Sequence, residues 1–549
     1  MEAKPIASSR TGRAVAQPVL ALFLALLMGL PILWLAAAAL TASPGGGLGA
    51  SMLPISLRDT GLLMLSVGAL AAVLGLVAAW LVTHHDFPGR RIFEWALMLP
   101  LAIPTYLAAY CFTELLDFTG PVQSIVRVMT GATIAQDYWF PQLRSFPGAV
   151  LVFSLVLYPY VYATCRAFFL MQSGTAHAAA RALGASGWRA FITVTLPISR
   201  PAIVVGATLA MMEVVNDLGA VQYFGINSLT AIIYSTWINR SNFGGAAQLA
   251  VTIVAVIAIL ILAERAARRA ETQTHARDTR IADARIGLTG WRATIATTSC
   301  STLLLVAFGL PAGQLLYLAS RQLTVTSLDM TVGPLATTIL LAVAGAVVTV
   351  AIGLLSAHLG RASSPSTRGA IRLATLGYAI PGTVLALGLL QPLGLADRGI
   401  NGFTRWALHW TPGLILTGSI AALLYVYAIR FLAVSHGNLS EAMNRRGPSM
   451  LDAGRVLGSR GFDLFLRVDL PTLAPSIAAA ATLVFVEIIK ELPATLLLRP
   501  LGVETLATLV YAKANSALFA EAALPALAIV ATGMVPVVLA TQLGARRKV

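Results

Sequence analysis

Apolar runs longer than a bilayer is thick recur from one end of this chain to the other, and no other feature limits its fold so strongly. The stretch PVLALFLALLMGLPILWLAAAAL, from Pro18 to Leu40, exceeds the roughly 20 apolar residues a helix needs to cross the hydrocarbon core. Within lipid each backbone amide and carbonyl must be satisfied inside the segment, so such runs fold as helices. Candidate spans start near residues 18, 60, 92, 146, 201, 245, 296, 335, 373, 412, 476 and 520. The expectation is an all-α polytopic membrane protein of twelve transmembrane helices. Only 11% of the 549 residues are charged, against about 25% in an ordinary soluble domain, which excludes a water-soluble globule.

Lys and Arg outnumber Asp and Glu by 38 to 23. In a soluble chain that surplus would raise nucleic acid as a partner; here its distribution follows topology, and no nucleic acid is expected. Lys4, Arg10 and Arg13 precede the first span, and Arg546, Arg547 and Lys548 close the chain. An even number of spans puts both ends on one side, and the segments assigned to that side hold 26 Lys and Arg against 9 opposite, which predicts cytoplasmic termini. The first apolar core is longer than the about 7 to 15 residues of a signal peptide, so it reads as an uncleaved anchor. Cys111, Cys165 and Cys300 lie in or beside apolar runs without CxxC spacing and read as small buried residues. His84, His85 and Asp86 follow the second span and read as a solvated basic turn.

The chain reads as two copies of one unit. A polar stretch, 264–292, reads as a cytoplasmic linker between a first six-helix half, 1–263, and a second, 293–549. Thr60 and Gly68 recur as Thr337 and Gly345, and the AIP of Ala102–Pro104 recurs at Ala379–Pro381, each at an offset of 277. LPISRPAI from Leu196 recurs as LPTLAPSI from Leu470, and EVVND from Glu213 as EIIKE from Glu487, each at 274. Halves that both begin inside and hold six spans are parallel repeats, related by an axis along the membrane normal, and such a pair encloses a central pathway.

Between the fourth and fifth spans of the first half lies AAARALGASGWRAFITVTLP, from Ala178 and Ala179 through Gly184 to Leu196 and Pro197. Its counterpart is DAGRVLGSRGFDLFLRVDLP, from Asp452 and Ala453 through Gly458 to Leu470 and Pro471. Both place small residues before a glycine suited to a close approach or sharp bend, and both end in a Leu-Pro that starts the next structure. This pattern resembles the EAA loop of the membrane subunits of bacterial ABC importers. The resemblance implies a coupling helix docked in a groove of the ATPase subunit, with the family's initial Glu standing here as Ala178 and as Asp452.

No ATP site is visible in the chain itself. A P-loop needs GxxxxGK followed by Ser or Thr, yet Lys4, Lys490, Lys513 and Lys548, the only lysines, precede Pro, Glu, Ala and Val. Neither GxSxG nor HExxH occurs, so membrane-enzyme chemistry has no visible residues and a covalent reaction is not expected of this chain. The ABC resemblance implies two separate ATPase subunits, one under each loop, that use ATP while this chain binds no cofactor.

The fifth span of each half carries carboxylates deep in an apolar segment. Glu213 lies thirteen residues beyond Arg200, about 20 Å along a helix, where an ionised carboxylate costs about 3 kcal/mol unless it faces a polar pathway or a partner. Glu213 and Asp217 are expected on one helix face, as are Glu487 and Glu491 with Lys490 beside them, and Asn216 adds an amide. Oxygen ligands of this kind suit hard cations, ferric iron among them; interhelical packing is the other reading of the same residues, and no metal site is assigned. The segments NDLGAVQYFG and KELPATLLLRPLG are similar to phrases in the two-half permeases of bacterial ferric-iron ABC importers, and the resemblance covers nearly the whole chain. It implies an inner-membrane permease supplied with ferric iron by a periplasmic binding protein. Permeases for thiamine, phosphonate or another small solute share the EAA-like loops, and an ion-coupled secondary transporter would also use intramembrane carboxylates.

Overall fold

The computed structural model describes residues 8–42, 49–171, 179–180, 182–269, 285–323, 325–361, 364–445, 456, 458–459 and 462–546. Among them, nine helices are long and apolar enough to cross a membrane, or eleven if each of two bent pairs counts as one span. The bent pairs, Arg90–Ala102 with Thr105–Thr130 and Pro365–Ala379 with Gly382–Leu408, turn through 93° and 113°. They stand where the third and ninth of the twelve expected spans begin. At the twelfth position the helix Phe519–Arg546 qualifies as a shorter apolar helix over Phe519–Val535.

Proline chemistry accounts for the bends. A residue before proline is pushed out of the helical region, and Ile103 and Ile380 are extended, with ψ of 114° and 134°. Pro104 and Pro381 then cap the helices that follow, where their missing N–H costs nothing. Each bend comes after a short 3₁₀ segment, Leu99–Ala102 or Thr375–Ala379, so the AIP repeat folds alike in both places.

The Leu-Pro pairs leave a different mark. Phe191–Thr195 and Phe465–Asp469 are single π-turns directly ahead of Leu196-Pro197 and Leu470-Pro471, and Leu305–Gly309 is a third ahead of Leu310-Pro311. Proline cannot bond the carbonyl four residues back and its ring collides with it. A local i→i+5 register lets the helix continue through the proline without a break.

The chain forms two compact units that do not follow the 264–292 division. One holds Met1–Pro44 and Val332–Thr508, the other Gly45–Thr331 and Leu509–Val549. In the first, the Ser8–Thr41 helix packs on Pro365–Ala374 and Gly382–Leu408, with the Trp34 indole donating to Gln391 Oε1 at 2.9 Å. In the second, Gly49–His84 lies against Phe146–Met171 and Leu196–Asn216, and Leu310–Arg321 packs on Phe519–Arg546. The core of this unit is built from fully buried Tyr158, Tyr162, Phe153 and Leu63.

The far end of the linker is anchored. Ile286–Gly287 pairs in parallel with His85–Asp86, and Leu288 N–H donates to Asp86 O at 2.9 Å. His85 is buried with its ring edge-on to Trp80, and His84 stands edge-on to Phe169. Of the solvated turn expected here, His85 is packed instead, against Trp80, whereas Asp86 is exposed. Residues 270–284 lie outside the described residues.

Candidate functional site

The two expected loops can be followed in part. Ala178, Asp452 and Ala453 lie outside the described residues, whereas Ala179, Gly184, Gly458, Leu196, Pro197, Leu470 and Pro471 lie within them. Gly184 has φ of 89° and Gly458 of 93°, the left-handed region that side chains resist. Among the described residues, a Cβ at either position would meet nothing within 4 Å. Of the two reasons for a glycine, sharp bend or close approach, the bend is the one in force. After it, Ser186 caps Gly187–Ala190 by accepting from Arg189 N–H, and Trp188 is two-thirds exposed.

In the fifth spans the structure corrects the expected helix faces. The helix of the first half ends at Asn216 and leaves Asp217 extended, with ψ of 133°; that of the second ends at Ile489, with Lys490 as its cap. Asp217 and Glu491 therefore do not share a helix face with Glu213 and Glu487. Asp217 Oδ1 accepts from Ala220 N–H at 2.7 Å and Val221 N–H at 3.2 Å, at the start of Gly219–Tyr223. Glu491 Oε1 accepts from Ala494 N–H at 2.8 Å, at the start of Pro493–Leu498. Each carboxylate satisfies amides that a helix start would otherwise leave open within the apolar core.

What completes each cap differs. Asp217 accepts a hydrogen bond from the hydroxyl of Thr105, the first residue after the bend at Pro104. The residue at the same place after Pro381 is Gly382, and a Cβ there would collide with an Arg430 guanidinium nitrogen and fall 2.7 Å from Glu491 Oε1. Glycine makes room for Arg430, whose Nε lies 3.6 Å from Glu491 Oε2, both groups nearly buried. Tyr427 and Thr495 bond to each other at 2.7 Å beside this pair. Thr105 and Arg430 were not among the candidate residues. Arg430 carried a signal, since a charge ten residues into an apolar run is a site candidate by itself.

Glu213 and Glu487 remain on their helices, both part-exposed. Glu487 pairs with Lys490 at 2.8 Å, and Asn216 is buried. Among the described residues, no three His, Cys, Asp or Glu side chains gather where they could hold a metal ion.

The helices that follow repeat a second cap. Ser228 accepts from Ala231 N–H at 3.2 Å and Thr505 from Thr508 N–H at 3.3 Å, each opening an apolar helix, Leu229–Ile238 or Leu506–Asn515. The next amides, of Leu229 and Leu506, donate to Thr60 at 2.9 Å and Thr338 at 2.8 Å. The spatial counterpart of Thr60 is thus Thr338, one residue beyond the Thr337 matched by sequence; Thr337 bonds the Gly333 carbonyl.

Residues 71–272 match the family described as binding-protein-dependent transport system inner membrane component. The chain is 25% identical over 496 residues, 88% of each chain, to the Fe(3+)-transport system permease protein FbpB 2 of Haemophilus influenzae. It is 29% identical over 211 residues to the molybdenum transport system permease protein ModB of Escherichia coli, 37% of this chain and 89% of that protein. Over 149 residues it is 32% identical to the sulfate transport system permease protein CysW of Escherichia coli, 27% of this chain and 48% of that one. Apolar helices in number, glycine-bent loops ahead of Leu-Pro helices and this set of relatives converge: residues 71–272 belong to the binding-protein-dependent inner membrane components, and the chain is a multi-pass ABC importer permease.

Proposed function

We propose that this permease translocates ferric iron, delivered by a periplasmic binding protein and driven by two ATPase subunits that dock under the loops around Gly184 and Gly458. The observation that carries the substrate is the likeness to a ferric-iron permease along 88% of both chains. The molybdate and sulfate relatives align with 37% and 27% of this chain. In this reading the chain has twelve spans in two parallel six-helix repeats, both termini are cytoplasmic, and ATP is bound by the partner subunits alone.

The proposed pathway runs past Glu213, Asn216 and Asp217 of the first half and Glu487, Lys490 and Glu491 of the second, whose carboxylate oxygens suit a hard cation; Asp217 and Glu491 also cap helix starts, and Glu487 pairs with Lys490. Iron is cargo here and needs no resident cluster.

A second reading, oxyanion import, follows from the molybdate and sulfate relatives. The test is uptake of radiolabelled ferric iron by iron-starved cells lacking this chain and other iron routes, with and without the chain restored, beside parallel uptake of labelled molybdate and sulfate. Restoration of energy-dependent iron uptake alone is the expected result. Restoration of molybdate or sulfate uptake without iron would overturn the substrate.

A further inference from the structure

Two segments at the far ends of the bent helix pairs are amphipathic in an inverted sense: their polar sides are spent inward and their apolar sides face out. The first is Pro121–Thr130, which has no buried residue. Gln123 donates to the Leu116 carbonyl at 2.8 Å and accepts from the Tyr138 hydroxyl at 2.6 Å, while Arg127 bonds Ser124 and the Phe118 carbonyl. What remains outward is Ile125, Val128 and Met129, at i, i+3 and i+4, with Val128 85% and Met129 81% exposed. Trp139, 86% exposed, stands seven residues before the Phe146–Met171 span.

The second segment is the end of Gly382–Leu408. Asp397 accepts from the amides of Ile415, Leu416 and Thr417 at 2.8 to 3.0 Å, and Asn401 bonds both the amide and the carbonyl of Gly413. These bonds fold the following loop back on the helix from its polar side. The opposite side carries exposed Leu395, Phe403 and Trp406, with Arg398 and Arg405 along its edge. Trp410, Leu414 and Ile420, the first residue of the next span, are exposed as well.

We propose that both segments lie in the membrane–water interface and bury these apolar faces at the boundary of headgroups and acyl chains, with Arg398 and Arg405 reaching lipid phosphate. Several observations select lipid as the occupant. The faces are apolar and exposed at the ends of bilayer-length apolar segments, their tryptophans precede span starts in the chain as interfacial tryptophans do, and arginines flank an apolar stripe in the manner of helices that lie on membranes. A docking protein that arrives and leaves would expose this surface to water between visits. Transient interfaces are only about as apolar as the rest of a protein surface, whereas here the polar groups are already consumed. The bilayer is always present.

The test uses the full chain in nanodiscs of phosphatidylethanolamine and phosphatidylglycerol. Nitroxides on Val128→Cys and Trp406→Cys, both exposed positions, are read by power saturation with oxygen and with an aqueous nickel chelate. The native cysteines are buried and stay unlabelled. The expected result is that oxygen accessibility exceeds nickel accessibility at both sites. In the unlabelled protein, lipids brominated near the headgroup should quench tryptophan fluorescence, and the triple variant Trp139→Phe/Trp406→Phe/Trp410→Phe should lose much of that quenching. Dominant nickel accessibility, or quenching unchanged in the triple variant, would overturn the proposal; labels that are nickel-accessible until a periplasmic binding protein is added would assign the faces to that protein. Depth is read without transport, so a wrong cargo would leave this result standing.

Discussion

Asp217 and Glu491 solve one problem with different neighbours, and the difference can be measured. A carboxylate that caps a helix within lipid must have its charge offset. Asp217 does so with two amides and a hydroxyl, Glu491 with one amide and a guanidinium. Glu491→Gln keeps an acceptor for the Ala494 amide but leaves Arg430 buried without its counter-charge, a loss of about 3–5 kcal/mol by analogy with other broken buried pairs. Arg430→Met paired with Glu491→Gln should recover most of that loss, because replacing both charges is often neutral. Thermal unfolding of the two single variants and the double variant, followed by size exclusion in detergent, checks this. A double variant less stable than either single one would refute the pairing. Gly382→Thr copies Thr105 into the wrong setting and should destabilise as well, since its side chain would meet the Arg430 guanidinium. Asp217→Asn, with donors from Ala220 and Val221 retained, should cost on the order of 1 kcal/mol, as a moderate change at a cap.

At the scale of elements, the loop before the fifth span is where sequence and structure meet most directly. A backbone in the left-handed region leaves its trace in the residue type, so Gly184 and Gly458 were legible as a sharp bend or a close approach, and their φ angles show the bend. With no described residue within 4 Å of a Cβ at either, a bulky residue there strains the backbone without a clash against them. Gly184→Val with Gly458→Val is expected to insert in the membrane and to cost roughly 1–2 kcal/mol per site in backbone strain, while substrate-stimulated ATP hydrolysis falls with transport. Insertion with coupling intact would refute a role for the bend. The breaks after Asn216 and Ile489 were not legible in the same way. Four-residue spacing of carboxylates suits a helix face, and the competing signal was quieter: Asp217 and Glu491 each stand three residues before an amide they cap, and Pro493 opens one of the new helices. Inside an apolar run these cues gave way to the pattern of a continuous span. The AIP repeat was legible as a repeat, and its prolines, Pro104 and Pro381, stand at the bends of 93° and 113°.

At the scale of the molecule, the division into halves was read from repeated words, and the compact units follow another rule. The first span belongs with residues of the second half, in the unit of Met1–Pro44 and Val332–Thr508, while Leu310–Arg321 and Phe519–Arg546 belong with the first half. Sequence could not show this, because a helix facing lipid on one side and protein on the other carries little record of which protein it faces. The packing has a testable consequence. If the chain is expressed as two pieces, 1–269 and 285–549, each compact unit must draw on both, through contacts such as Trp34 with Gln391 in one and the paired strands at His85 and Ile286 in the other. The pieces are therefore expected to purify together in detergent through an affinity tag on either. Removing residues 1–44 from the first piece should lower the yield and melting temperature of the assembly, since Pro365–Ala374 and Gly382–Leu408 lose the helix that covers them. Pieces that purify separately, each stable alone, would show that the halves defined by the repeat are also the units that fold.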